Sequence, residues 1–370
     1  MSGPMGVGII GAGMISDQYL KNLTSFPDID VVIVGDLLPE RAQTQAAKYG
    51  VAAHGTPDDV LAHPDVELVL NLTIPAAHHA VSTAAIAAGR HVWSEKPLGV
   101  NRAEAADLVR AAAEAGVRLG VAPDTVLGPG MQTARRAIQR GDIGVPLAAQ
   151  TSMAYIGPDT FHPNPEFLFA RGAGPVMDMG PYYVTALVHT LGPVASVAAV
   201  GLKGREQRTI QIGARAGTVF PVEVPTLVQA VMRFERGPVG QSVFSFDSPL
   251  TRAGVVEITG TEGTIVIPDP NTFGGDVRIT RGPGASGEQE WTTLPSVGVL
   301  AGRGLGVLDM ARAIRGGGAH IASGDVGLHV LDVLIAVEEA VTAPGFIDIA
   351  STVGEIPLVP DDRDPFAATL

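Results

Sequence analysis

The chain has no cysteine among its 370 residues, which excludes disulfides, thiol nucleophiles and thiolate metal sites. Lysine is almost as scarce: of 25 basic residues only Lys21, Lys48, Lys96 and Lys203 are lysine, and the rest are arginine. None of the four follows a glycine, so a Walker A phosphate loop is excluded. Charged residues make up only 17% of the chain and hydrophobic ones 46%, enough to bury a sizeable core and to form two domains rather than one. The net charge of −13 repels phosphate backbones and anionic lipid, which argues against nucleic-acid and membrane partners. Two stretches of membrane-span length lack formal charge, 71–89 and 184–202. The first contains Pro75, His78 and His79, and the second is split by Gly192-Pro193, so neither reads as a span. The apolar residues after Met5 alternate with glycines and read as a strand, not as a secretion signal, so the expected location is the cytoplasm. No His-x-x-x-His pair or acidic cluster has metal-ligand character, and no metal is expected.

The first 125 residues alternate short apolar runs (7–10, 30–34, 67–72, 91–93 and 118–121) with helical patterns, the order of a parallel sheet with crossover helices. One helix is punctuated at both ends, with Asn101 as N-cap, Glu104 three residues on and Gly116 at the stop. After a helix at about 129–140 the pattern changes to strands at 148–155, 194–202, 227–234, 241–247, 255–259 and 264–267. Along one of these Val228, Ala230, Met232 and Phe234 alternate onto a single face. The expected fold is α/β, with a Rossmann dinucleotide-binding domain over residues 1–126. An α+β substrate domain is expected over 127–370, built on a large open, mostly antiparallel sheet. Helical runs at 178–191, 306–315 and 325–340 are expected to cover one face of that sheet.

Val7-Gly8-Ile9-Ile10 reads as a strand and runs into Gly11-Ala12-Gly13-Met14-Ile15-Ser16, a GxGxxG pattern with serine in the third place. Glycine at 11 permits a tight turn, glycine at 13 lets backbone approach a pyrophosphate, and the N-H groups around Met14 and Ile15 open the following helix toward the phosphates. Asp36, 23 residues after Gly13 at the end of the second strand, suits the adenosine ribose hydroxyls and repels a 2′-phosphate. The expected cofactor is therefore NAD in preference to NADP. Glu95-Lys96-Pro97 follows the strand 91–93 directly, at the edge of an open sheet where ligands bind. In a chain that meets most needs for positive charge with arginine, a lysine here points to a compact, titratable ammonium.

The segments Asn71-Leu-Thr-Ile-Pro-Ala-Ala-His78 and Ala84-Ala-Ile-Ala-Ala-Gly-Arg-His-Val-Trp-Ser-Glu-Lys-Pro97 resemble the signature of the Gfo/Idh/MocA oxidoreductases. Asp36-Leu-Leu-Pro-Glu-Arg41 resembles that family's ribose-binding turn, Gly141-Asp-Ile-Gly144 its junction into the second domain, and Gly174-Pro-Val-Met-Asp178-Met-Gly-Pro-Tyr182 its catalytic helix start. The resemblance, over about residues 5–350, implies hydride transfer between a nicotinamide and a carbinol carbon of a sugar, polyol or related cyclic alcohol. It also implies a homodimer or homotetramer associating through the second domain. Carried over position by position, Lys96 reaches nicotinamide and substrate, and Leu72, Thr73, His78 and Glu95 lie at the cofactor. Tyr182 moves the proton, and Asp178 binds a second hydroxyl or holds Lys96. The bond before Pro97 is often cis in relatives.

The chain also departs from that family. Where many relatives have Asp-x-Gly-x-His, it has Asp178-Met-Gly-Pro-Tyr182, so a phenol takes the place of the imidazole. Where relatives often carry Asn or Gln and an Arg, it has Ala122-Pro-Asp124-Thr125. Asp124 is a candidate substrate contact, with a capping or turn role as the alternative. His162, in the proline-rigid run Phe161-His-Pro-Asn-Pro-Glu166, is a second candidate. Two other functions are open on the sequence: an NAD-dependent glycosidase acting by transient oxidation, and a non-catalytic NAD-binding regulator. Intact Lys96, Asp178 and Tyr182 speak against the regulator only.

Overall fold

The computed structural model describes residues 3–370. These divide into two units, the first formed by Met1–Gln132, Val297–Leu331 and Glu355–Leu370, the second by Thr133–Ser296 and Asp332–Gly354.

The first unit is built on strands β1 (Met5–Ile10), β2 (Ile29–Gly35), β3 (Ala53–Gly55), β4 (Leu68–Asn71), β5 (His91–Ser94) and β6 (Leu119–Val121). Helices α1 (Met14–Leu23), α2 (Pro39–Tyr49), α3 (Pro57–Ala62), α4 (Pro75–Ala87) and α5 (Arg102–Ala115) connect them. The strands are all parallel in the order β3-β2-β1-β4-β5-β6. Chain order reverses between β1 and β4, the switch point at which an open sheet presents a crevice beyond its carboxyl ends. Local sequence explains the helix ends. Asn101 accepts a hydrogen bond from the Glu104 amide at the start of α5, Gly116 closes it in the left-handed conformation, and Thr56 and Asp59 form a reciprocal capping box on α3.

The second unit begins within α6 (Pro129–Gln139) and contains β7 (Pro146–Ala154), α7 (Gly174–Leu191), β8 (Val194–Leu202), β9 (Gln207–Thr209), β10 (Val219–Pro221), β11 (Leu227–Phe234), β12 (Val239–Ser245), β13 (Arg252–Gly260), β14 (Thr264–Ile267), β15 (Val277–Thr280) and β16 (Thr292–Leu294). Later in the chain follow α8 (Leu305–Gly316), α9 (Gly324–Ala340) and β17 (Ile347–Asp348). Nine strands form an open sheet in the order β16-β15-β14-β13-β7-β12-β11-β8-β17, antiparallel except for β7 beside β12. The alternation in β11 buries Val228, Ala230, Met232 and Phe234 and exposes the residues between them. Helix α7 packs on β7, β11 and β12.

Two expectations about the division require correction. The chain does not stay in the second unit after residue 127, because 297–331 and 355–370 return to the first. Helix α8, expected on the large sheet, packs against β6 and α1 instead. Its seat is the indole of Trp93, fully buried at the end of β5. A Cβ added at Gly306 would lie 2.0 Å from that ring and one at Gly120 2.5 Å, so both glycines let backbone lie against it. Ion pairs secure the return: Arg315 holds Glu67 with bonds of 2.9 and 2.6 Å, and Arg312 donates to Asp28 at 2.7 Å. Asp28 also accepts from the amide and hydroxyl of Thr369, which ties down the last residues.

Candidate functional site

Strand register brings the chemistry-bearing loops of the first unit into one row. Ile10 pairs with Gly35 and with Asn71, and Asn71 pairs with Ser94, so Gly11, Asp36, Leu72 and Glu95 are the next residues of four strands at the same level. Backbone bonds continue the row past the strand ends, from the Gly11 amide to Gly35 O, Leu72 to Ile10 O and Glu95 to Asn71 O, at 2.8 to 2.9 Å. Gly11 has φ +109°, and a Cβ there would meet the Leu72 carbonyl carbon at 2.7 Å; two loops cross at van der Waals distance only because it is glycine.

Gly13 differs. Its backbone is extended (φ −78°, ψ −175°), it is exposed, and a Cβ would meet nothing within 4 Å. It is the N-cap of α1 with no side-chain cap, beside Met14, which is 79% exposed, and the half-buried Ile15. Asp36 accepts from the Ala12 amide at 2.7 Å and the Leu38 amide at 2.9 Å, which places its carboxylate against the glycine turn. The residues fit a dinucleotide: a bare turn, an uncapped helix start and a fixed carboxylate.

Glu95 is buried and accepts from Tyr19 Oη at 2.8 Å and from the Lys96 amide at 3.0 Å, anchoring the backbone that presents Lys96, which is half-buried. Burial and the charges of Glu95 and Asp124 push the Tyr19 phenol well above its usual range, so it remains a donor. The Lys96-Pro97 bond is cis, as is Ala122-Pro123.

Two residues expected to meet ligands do other work. His78 is 1% exposed, and its ring nitrogens lie 2.7 Å from Pro97 O and 2.9 Å from Thr73 O, bracing the loop after β4 against the loop after β5. Thr73 is itself tied to Asn71 through amide and hydroxyl. Asp124 is fully buried and accepts from the amides of Gly304 and Gly306 at 2.8 and 3.1 Å, capping α8 from a distant part of the chain. It takes the capping role that the sequence left open for it, and burial pushes its carboxyl up to about 6.

In the second unit, Asp178 and Tyr182 stand one turn apart on α7 and so share a helix face. Asp178 is half-buried and Tyr182 5% exposed. The neighbouring Tyr183 is engaged elsewhere, its hydroxyl accepting from the Gly254 amide at 2.7 Å. His162 accepts from the Asn164 amide through Nδ1 and stands edge-on to Phe167, with centroids 5.4 Å apart.

Sequence reasoning missed Tyr155 and Arg208. The Arg208 guanidinium is buried and donates to Ile156 O at 2.8 Å, Asp159 Oδ1 at 2.9 Å, Asp247 Oδ1 at 2.5 Å and Phe246 O. It clamps the segment after β7 to the segment after β12. Its acceptors lie 38 to 52 residues away along the chain, so no local pattern marks it. Among the described residues no group of three or more histidine, aspartate or glutamate residues could hold a metal ion, and no helix is long and apolar enough to cross a membrane.

Residues 5–122 match the family model of an oxidoreductase family with an NAD-binding Rossmann fold, and residues 131–266 match the GFO/IDH/MocA C-terminal domain. The chain is 28% identical over 266 residues to 1,5-anhydro-D-fructose reductase of Ensifer adhaerens, covering 70% of this chain and 74% of that one. To trans-1,2-dihydrobenzene-1,2-diol dehydrogenase of Mus musculus it is 28% identical over 259 residues, 69% and 72% of the two chains. The structure of levoglucosan dehydrogenase in complex with NADH has a TM-score of 0.80 at 22% identity, over 94% of this chain and 100% of that one, a likeness of fold.

Proposed function

Since the chain belongs to the Gfo/Idh/MocA oxidoreductase family, with dehydrogenases and reductases as relatives, we propose that it transfers hydride between NAD(H) and a carbinol carbon of a sugar, polyol or related cyclic alcohol. The observation that carries the reading is the row of loops beyond β1, β2, β4 and β5, with bare Gly13 at its centre. The nicotinamide, when bound, supplies the hydride chemistry. Gly11, Gly13, Met14 and Ile15 take the pyrophosphate, and the loops at Leu72, Thr73 and Glu95 present backbone to the rest of the dinucleotide. Asp36 binds the ribose diol and repels a 2′-phosphate, which favours NAD over NADP. Lys96 supplies a compact positive charge at the reacting oxygen, Tyr182 gives or takes the hydroxyl proton at its phenol oxygen, and Asp178 accepts from a neighbouring substrate hydroxyl. His162 contributes to the substrate pocket from its rigid loop. The second unit is also the reading's oligomer interface: Val200, Val231 and Val239 are apolar residues 67, 46 and 52% exposed on one face of β8, β11 and β12, which a dimer or tetramer would cover.

The test is an NADH-absorbance screen in both directions over pyranoses, inositols, sugar acids and dihydrodiols. The reading expects turnover with at least one cyclic polyhydroxy substrate and a preference for NAD over NADP of tenfold or more. NADH binding without turnover across the panel would overturn it.

A further inference from the structure

Tyr155 and Phe161, which the hydride-transfer reading leaves without a role, lie together in the segment after β7. Tyr155 directly follows β7, and its main chain is fixed by bonds to Ser245 O and from the Ser248 amide, 3.1 and 3.0 Å. Its ring stands edge-on to the buried Phe246 (centroids 5.3 Å, 68°) and lies 29° from parallel with Phe161 (6.1 Å). Phe161 is 59% exposed although its backbone is anchored by bonds to Pro158 O from its own amide and from that of His162. Two residues between them are locked by Arg208, through Ile156 O and Asp159. Gly157 has φ +113°, and a Cβ there would press on Arg208 and Asp159 at 2.8 and 2.6 Å, so the turn that presents the two rings is a rigid one. Burial and the charges of Asp178 and Asp159 push the Tyr155 phenol up, so it is an O-H donor at all physiological pH and cannot double as the base.

We propose that Tyr155 and Phe161 form an aromatic wall that receives the C-H face of a six-membered ring bearing equatorial hydroxyls, with the Tyr155 hydroxyl donating to one of its oxygens. The proposal deepens the reading of the second unit as the substrate unit and rests on it. A β-gluco-configured pyranose carries axial C-H groups on both faces, an apolar surface edged by hydroxyls. The negative face of an aromatic ring complements those C-H groups, and a few placed polar groups fix orientation. Asp178, whose charge Tyr155 feels, is the acceptor for a hydroxyl at the rim of that ring. An open-chain polyol has no preformed flat face and must lose rotational freedom to offer one.

Saturation-transfer NMR with methyl β-D-glucopyranoside and D-sorbitol in the presence of NADH tests the wall independently of turnover. The axial ring protons of the glucoside should be the most strongly saturated, and Phe161→Ala, which removes a mostly exposed ring, should lower its affinity roughly tenfold. Sorbitol binding should change less than twofold. Tyr155→Phe should keep the C-H saturation while weakening the glucoside, and Tyr155→Ala should lose both. Glucoside binding together with no turnover across the panel of pyranoses, inositols, sugar acids and dihydrodiols would end the hydride-transfer reading and leave the wall standing. No saturation of the ring protons in the wild type, or an equal loss of glucoside and sorbitol in Phe161→Ala, would overturn the wall even in an active enzyme.

Discussion

The two units hold their chemistry by opposite means. At the edge of the first, backbone does the positioning: strand register sets Gly11, Asp36, Leu72 and Glu95 at one level, and Gly13 keeps the turn beyond β1 bare. In the second, side chains do it: Arg208 ties two segments together, and Asp178 and Tyr182 depend on their place along one helix face. Backbone geometry tolerates most side-chain changes, whereas a side-chain arrangement fails with a single atom. The largest expected effect therefore lies in the second unit. Tyr182→Phe removes one hydroxyl and should cut turnover by about 10² to 10⁴ while leaving NADH affinity nearly unchanged, measured by stopped-flow absorbance and fluorescence titration. Turnover within a few-fold of wild type would remove the contrast between the units.

The next effect is on stability. Arg208→Ala leaves the buried Asp159 and the half-buried Asp247 without their cation, and breaking a buried pair such as Arg208–Asp159 typically costs about 3–5 kcal/mol. Urea denaturation should show that loss, with Arg208→Lys recovering part of it, since an ammonium keeps the charge but not the planar fork. A loss below about 1 kcal/mol in Arg208→Ala would mean that the segment holding Tyr155 and Asp159 needs no clamp.

The difference between the units also decides what could be read from sequence. Strand, glycine turn, helix and Asp36 follow one another within about thirty residues, and their order is a local pattern. The cap on α5 and the alternating face of β11 were legible for the same reason. Long-range partners were not. Helix α8 has an amphipathic pattern that fits any apolar surface, and nothing near it says that Trp93, some 210 residues earlier, is its seat. The cap that Asp124 provides could not be read locally, because the amides of Gly304 and Gly306 are 180 and 182 residues away. Arg208 and Tyr155 stand in unremarkable local sequence, and only the paired strand ends reveal them.

Asp124 sharpens the comparison, being, with His78 and Glu95, a case in which the first unit too relies on a buried side chain. Its carboxyl, raised by burial to about 6 from an ordinary value near 4, is neutral in the fold at a pH where the unfolded chain would ionise it. Its contribution is fully present below about pH 4 and is lost as pH rises through 6, a change of about 3 kcal/mol at most. Asp124→Asn keeps an oxygen for both amides and cannot ionise, so its stability should lack that fall between pH 4 and 6 in urea titrations. The same fall in both proteins would show that Asp124 titrates normally. Asp36→Ala, at the exposed edge of the same unit, should weaken NAD by about ten- to hundredfold and NADP far less, narrowing the preference.

The smallest expected effect, and the most direct comparison, is between the two glycines of one turn. At Gly11 an alanine would have to hold φ near +109° and place its Cβ 2.7 Å from the Leu72 carbonyl. Strain and overlap together should cost roughly 2 kcal/mol or more. At Gly13 neither objection applies: the backbone is extended, and nothing lies within 4 Å. Alanine there restricts the unfolded chain without straining the folded one, so Gly13→Ala should be neutral or stabilising by about 0.4–1 kcal/mol in thermal melts without cofactor. If only a bound dinucleotide needs that space, the same variant should bind NADH at least tenfold more weakly, and the stabilisation the cofactor gives the wild type should shrink accordingly. A more stable protein with a weaker cofactor would identify Gly13 as a residue kept bare for its ligand. Unchanged NADH affinity in Gly13→Ala would move the pyrophosphate away from this turn and take the central support from the dinucleotide assignment.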